Sequence, residues 1–162
     1  MKVGIIADTH DNLEYLVTAL EMLRAEDIKM LLHCGDICSP HMIWTMADFD
    51  VWIAQGNMDR TAGLSFTVRE TWGNGRFAWL QRVTLNGYPA AIIHGDNEDV
   101  LHNLIACGEY AYVFHGHTHR RRDKTIGQTR VINPGSMGGR RPQRRSFCVL
   151  DLETDQARFV EL

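Results

Sequence analysis

The sequence predicts an α/β protein of two sheets packed face to face with helices on the outside. Three observations predict it. Short apolar runs alternate with helical patterns through the first half of the chain, as in βαβ units, and the second half is dominated by short β-type runs separated by turns. No repeat, low-complexity segment or linker divides the 162 residues, so one domain spanning 1–162 is expected, large enough for a substantial core.

Taken in order, Lys2 to Ala7 is a β-rich run apolar on both faces, suited to a strand covered on both sides. It ends in Asp8-Thr9-His10. Asp11, three residues before Glu14, gives a capping-box-like start to a helix carrying Leu13, Leu16, Val17, Leu20 and Leu23 at helical spacing. Lys29 to Cys34 is a second buried strand, ending in Gly35-Asp36. Ser39-Pro40 then opens a helix to about Asp48, with proline at its first position. Val51 to Gln55 is a third strand, ending in Gly56-Asn57-Met58-Asp59.

From Arg60 to Arg76 no clear period is visible, and a long, partly ordered loop is expected. Leu80 to Leu85 and Tyr88 to Ile93 form a hairpin around Asn86-Gly87, and the second strand ends in His94-Gly95-Asp96. Asn97 to Ala106 is a helix with Gly108 beyond its end. Ala111 to Phe114 is the strand that feeds His115-Gly116-His117-Thr118-His119. Two further hairpins follow, around Gly127-Gln128 and between Phe147–Leu152 and Ala157–Val160. The turn Asn133-Pro134-Gly135-Ser136 separates them. Trp72, Phe77 and Trp79 are read as core.

Composition excludes several classes. Hydrophobic residues at 44% and charged residues at 23% are ordinary for a soluble globular protein, and a net charge of −3 gives no global case for nucleic-acid binding. No apolar run approaches the ~18 residues needed to span a bilayer, and the acidic stretch after Ala7 comes too early for a signal peptide. The four scattered cysteines read as reduced, partly buried thiols of a cytoplasmic protein.

The chemistry lies at the strand ends. Asp8, His10, Asp36, Asn57, His94, His117 and His119 follow successive strands, at the carboxyl edge where α/β folds bind ligands. Seven ligands exceed what one ion needs, so one carboxylate must bridge two ions about 3.5–4 Å apart. A mixed oxygen and imidazole set suits manganese, iron, zinc, cobalt or nickel, whereas a magnesium site would be mostly oxygen. Two divalent ions bring four positive charges, Asp8 and Asp36 remove two, and a hydroxide removes a third. The residual charge attracts an anionic phosphate and stabilises its five-coordinate transition state.

The ordered motifs DTH, GD, GN, HG and GHTH resemble those of the calcineurin-like metallophosphoesterases. The short length, the GNMD form and the NPGS turn are similar to the small bacterial and archaeal phosphodiesterase branch. The resemblance implies a four-layer α/β/β/α sandwich. It also implies a metal partition: Asp8, His10 and His119 on one ion, Asn57, His94 and His117 on the other, Asp36 bridging. Asp36, Asn57 and His94 are assigned the catalytic role as well. The implied reaction is in-line attack on a phosphate diester by a hydroxide bridging two divalent ions, manganese foremost, with no covalent intermediate.

One position departs from the family. Many members carry a histidine directly after GN, and here it is Met58, which can neither contact phosphate through a proton nor protonate a leaving group. Asp59 matches the acidic position that follows, with its role left open. His33 reads as a core histidine, His41 and His102 as helix residues without a role, and His115 as a residue beside the site. Arg120, Arg121 and Arg122, with Arg140, Arg141, Arg144 and Arg145, form either a solvated face or a basic rim for nucleic acid. Two alternatives stand beside a diesterase on small organic phosphates: a nuclease or phosphomonoesterase on the same centre, or a non-catalytic scaffold like the retromer subunit of this fold.

Overall fold

The computed structural model describes residues 1–139 and 144–162. In chain order its elements are β1 (Lys2–Ile6), α1 (Leu13–Ala25), β2 (Met30–His33), α2 (Pro40–Thr45), β3 (Asp50–Ala54), α3 (Leu64–Trp72), β4 (Phe77–Ala78), β5 (Leu80–Leu85), β6 (Tyr88–Ile93), α4 (Glu98–Ala106), β7 (Tyr112–Phe114), β8 (Arg122–Ile126), β9 (Thr129–Asn133), β10 (Ser146–Asp151) and β11 (Gln156–Glu161). A six-stranded sheet runs β11-β10-β1-β2-β3-β4 and a five-stranded sheet β5-β6-β7-β9-β8. Both are mixed: β1, β2 and β3 are parallel, as are β6, β7 and β9, while β10 and β8 return antiparallel.

Three apolar layers hold the sheets and helices together, because successive strand residues face opposite ways. Val3 and Ile5 of β1 meet Ile92 and Phe114 of the other sheet in the central layer. Ile6 turns outward to the layer filled by Leu16, Leu20 and Leu23 of α1 and Met42 and Ile43 of α2. On the far side Leu101, Leu104 and Ile105 of α4 cover Ile93, Val113 and Val131. This is the four-layer α/β/β/α arrangement. Its consequence for function is directional: the parallel strands β1, β2, β3, β6 and β7 all end at one edge, and every candidate ligand follows one of those ends.

Several local expectations are corrected. The expected loop over 60–76 contains α3, whose buried face is Leu64, Thr67 and Val68. Serine, threonine, phenylalanine and valine are middling helix formers, and a nine-residue helix shows barely two turns of periodicity. Its ends are set by the backbone of Gly63 and Gly73, both at positive φ. The N-cap of α1 is Asn12, whose Oδ1 accepts from the Tyr15 N–H, because Asp11 is held at φ 59° and points elsewhere. Helix α2 stops at Thr45, and residues 46–48 form a turn. Trp72 and Phe77 pack against the core, but Trp79 is 45% exposed. Among the described residues, no helix is long and apolar enough to cross a membrane.

Candidate metal centre

The DTH loop after β1 and the GD loop after β2 are bound edge to edge. The Asp8 N–H donates to the Gly35 carbonyl and the His10 N–H to the Asp36 carbonyl, both at 2.9 Å. A buried relay supports them from below. Gly35 N–H donates to His33 Nδ1 (3.1 Å), which leaves the His33 Nε2 proton for Thr9 Oγ1 (3.2 Å), and Thr9 in turn donates to the Asp36 carbonyl (3.3 Å). Burial pushes the His33 imidazole down to about 3, so it works as a neutral donor and acceptor. The expected core histidine is therefore also a brace for the site.

The ligands converge at the mouth of these loops. His10 Nε2 lies 3.6 Å from Asp36 Oδ2 and 3.9 Å from Asp8 Oδ1, and His119 Nε2 lies 3.3 Å from Asp8 Oδ1. On the other side His94 Nε2 lies 3.4 Å from Asp36 Oδ2, 3.0 Å from Asn57 Oδ1 and 3.3 Å from His117 Nδ1. All seven residues expected from the sequence come together, with Asp36 Oδ2 between the His10 and His94 halves. Ligand atoms close to metal-holding distance form two groups, Asp8–His10–His119 and Asp8–Asp36–His94, so Asp8 reaches toward both halves as well.

The donor atoms are prepared for cations. His94 Nδ1–H donates to the Cys34 carbonyl at 2.8 Å, which aims Nε2 at the centre. Met58 N–H holds Asp36 Oδ1 at 2.8 Å and His117 N–H holds Asp8 Oδ2 at 3.0 Å, freeing Asp36 Oδ2 and Asp8 Oδ1 to face inward. Asp8 is fully buried, and its Oδ1 has no hydrogen-bond partner among the described residues. A buried carboxylate oxygen left bare is costly unless a cation sits against it. Burial alone would depress His94, yet the neighbouring Asp36 carboxylate lifts it to about 9. Burial would raise Asp36, and His94 with the Met58 N–H brings it below the usual range. A positive charge is thus favoured between them, the place a metal ion would take.

Backbone strain marks the same spot. Asp8 (φ 52°), His10 (45°), Asp36 (59°), His117 (63°) and His119 (59°) all occupy the left-handed region, which L side chains rarely adopt. Such residues cluster where a site needs their side chains aimed against local preference. Gly56 is required for a different reason: a methyl there would overlap the Asp36 backbone nitrogen and its carboxylate.

Sequence reasoning missed the clamp that fixes this geometry. Asp59 is 3% exposed, and its carboxylate accepts four backbone N–H groups: Asp36 (3.0 Å) and Gly56 (2.8 Å) on Oδ2, Ile37 (2.7 Å) and Cys38 (2.8 Å) on Oδ1. Burial raises its carboxyl, and those N–H groups oppose the rise without reversing it. The NPGS turn is also more than a turn. Asn133 Nδ2 donates to the Gly116 carbonyl at 2.7 Å, and Gly138 N–H just beyond donates to the Asp8 carbonyl at 2.7 Å, tying the histidine loop to the DTH loop. His115 is buried and pushed down to about 4 by that burial. His41 and His102 are exposed on their helices, as expected. Arg140 and Arg141 lie outside the described residues. Arg121 and Arg144 pair with Glu161.

The centre opens into a cleft of about 1030 Å³, whose lining includes the apolar side chains of Leu13 and Met58, 43% and 52% exposed. Asp11 and Glu14 line its acidic corner.

This assembly of loops is recognised by the family model for the calcineurin-like phosphoesterase superfamily domain, which matches residues 1–155. The chain belongs to that superfamily. It is 30% identical to Phosphodiesterase MJ0936 of Methanocaldococcus jannaschii, with 100% of this chain and 99% of that protein covered. A solved archaeal phosphodiesterase superposes with a TM-score of 0.92 at 29% identity, each chain covered in full. Vps29 from Chaetomium thermophilum shares the fold, at a TM-score of 0.74 and 16% identity over 100% of this chain and 96% of that one. Membership of this superfamily implies a hydrolase of phosphate esters that uses divalent metals, and the two groups of ligand atoms are candidates to hold them.

Proposed function

We propose that residues 1–162 form one phosphodiesterase domain that works with two divalent ions, manganese first among them. The observation that carries this reading is the convergence of seven inward-facing oxygen and nitrogen donors, with Asp36 Oδ2 shared between the His10 and His94 sides. Asp8, His10 and His119 would hold one ion and Asn57, His94 and His117 the other. When bound, such ions neutralise phosphate charge and supply a nucleophile from water near neutral pH. The protein's own part is placement. Asp36 would fix the separation of the two halves, while His94 and Asn57 present Nε2 and Oδ1 as lone-pair donors for the ion they would hold. The buried floor of Asp8 and His94 keeps bulk water out from below.

Preference for a diester with an activated leaving group follows from the open wall of the cleft. Met58 offers an apolar surface and no proton, and Leu13 extends that surface, so an aryl group is accommodated and an alkoxide leaves unassisted. A general acid typically contributes about 10²–10⁴-fold for a poor leaving group. The Mn²⁺-loaded protein is expected to cleave bis-p-nitrophenyl phosphate far faster than methyl p-nitrophenyl phosphate loses methoxide, and Met58→His is expected to narrow the gap about 10²-fold. A gap that stays the same in Met58→His would remove this account of selectivity. Support for a diester over a monoester comes from the relatives: MJ0936 carries the name phosphodiesterase.

A further inference from the structure

A second cleft, of about 590 Å³, adjoins the centre and shares His117 with it. It lies on the α4 side of the five-stranded sheet. Lys124 of the edge strand β8 stands opposite Val131, which packs under Leu101 and Leu104 of α4, and Arg122, two residues earlier, shares that face. Arg120 and Arg121 complete the rim, with Glu98 at the start of α4 as its one carboxylate among the described residues.

Two independent features mark this cleft as made for an anion. Arg121 is committed to Glu161 and Ser146, but among the described residues Arg120, Arg122 and Lys124 make no ion pair. Three unpaired cations around one cleft, against one exposed glutamate, leave a net positive pocket. His115 lines the same cleft at 2% exposure, and its buried Nε2 has no hydrogen-bond partner among the described residues. With Nδ1 accepting from the Asn133 amide, the ring proton sits on Nε2, where an anion's oxygen can accept it. The arginines supply planar forks suited to a tetrahedral oxyanion. Beyond Arg122 the surface continues between α4 and β8 past Leu101, Ile105 and Ile126, a groove of about 500 Å³ with an apolar floor.

We propose that this cleft binds a second phosphate group carried by the diester substrate, so that the preferred substrates are doubly phosphorylated, nucleotide-like molecules. The assignment rests on the phosphodiesterase reading for the word substrate, but its binding claim stands apart from turnover. Isothermal titration of the full-length, Mn²⁺-loaded protein with adenosine 3′,5′-bisphosphate and with adenosine 5′-monophosphate tests it. The bisphosphate is expected to bind at least tenfold tighter, with that excess lost in Arg120→Ala/Arg122→Ala and partly kept in Arg122→Lys. Equal affinities in the wild type, or an excess that survives in the double alanine variant, would overturn the site. Inorganic phosphate binding as tightly as the bisphosphate would overturn the assignment to the substrate's own second group. Since the readout is binding, failure of turnover on every diester would count against the proposed function alone.

Discussion

Asp36→Asn is expected to fold and to lose activity by about 10³-fold or more. The substitution conserves volume, and its amide oxygen can keep the Met58 N–H contact now made by Asp36 Oδ1 at 2.8 Å. The amide nitrogen then replaces Oδ2, the atom 3.6 Å from His10 Nε2 and 3.4 Å from His94 Nε2. An N–H group there repels any cation held between the two halves, and the negative charge that neutralises the pair is gone. Steady-state kinetics on bis-p-nitrophenyl phosphate with matched Mn²⁺ reads the loss, and thermal denaturation confirms the fold. Activity within tenfold of the wild type would show that Asp36 does not join the two halves. Asp8, whose Oδ1 also approaches both groups of ligands, would then be the residue to examine.

Asp59→Ala is expected to be the most destabilising single change at the site, although the residue touches no candidate ligand side chain. It strips the acceptor from four N–H groups at once, three of them in the loop that carries Asp36. Each buried donor left bare costs about 1–3 kcal/mol, and partial rehydration of the loop recovers some of that, so a loss of roughly 3–5 kcal/mol is expected. For a domain of this size that lowers Tm by about 10 °C. Asn is a poor substitute, since its amide would face two donors with a donor of its own. Differential scanning calorimetry of the metal-free variants decides the point. A Tm within about 2 °C of the wild type would mean that the GD loop is held by its neighbours without the clamp.

The elements legible in the sequence were those with a long apolar run or a strong turn signal. The Asn86-Gly87 hairpin, helix α4 with Gly108 just beyond its C-cap, and the five strand ends fall where they were expected. The short helix α3 was hidden because its stabilisation comes from three buried contacts and two flanking glycines, and little comes from its own propensities. At the site the seven ligand types were readable one by one, and their order along the chain made the resemblance specific. What holds them was not readable: the Asp59 carboxylate, the His33–Thr9 relay and the Asn133 brace act through backbone N–H and C=O groups, which carry no residue identity. Met58 was readable as a missing acid but not as an exposed part of the cleft lining, since exposure is set by how the loops pack and not by residue type.

The most direct test of a shared two-metal centre is a titration of metal-stripped protein with Mn²⁺, following bound metal and hydrolysis of bis-p-nitrophenyl phosphate in the same samples. Two ions per chain are expected, with turnover rising steeply only as the second site fills. Full activity at one ion per chain, or two bound ions without turnover, would contradict a centre in which Asp36 joins two metal ions for phosphodiester hydrolysis.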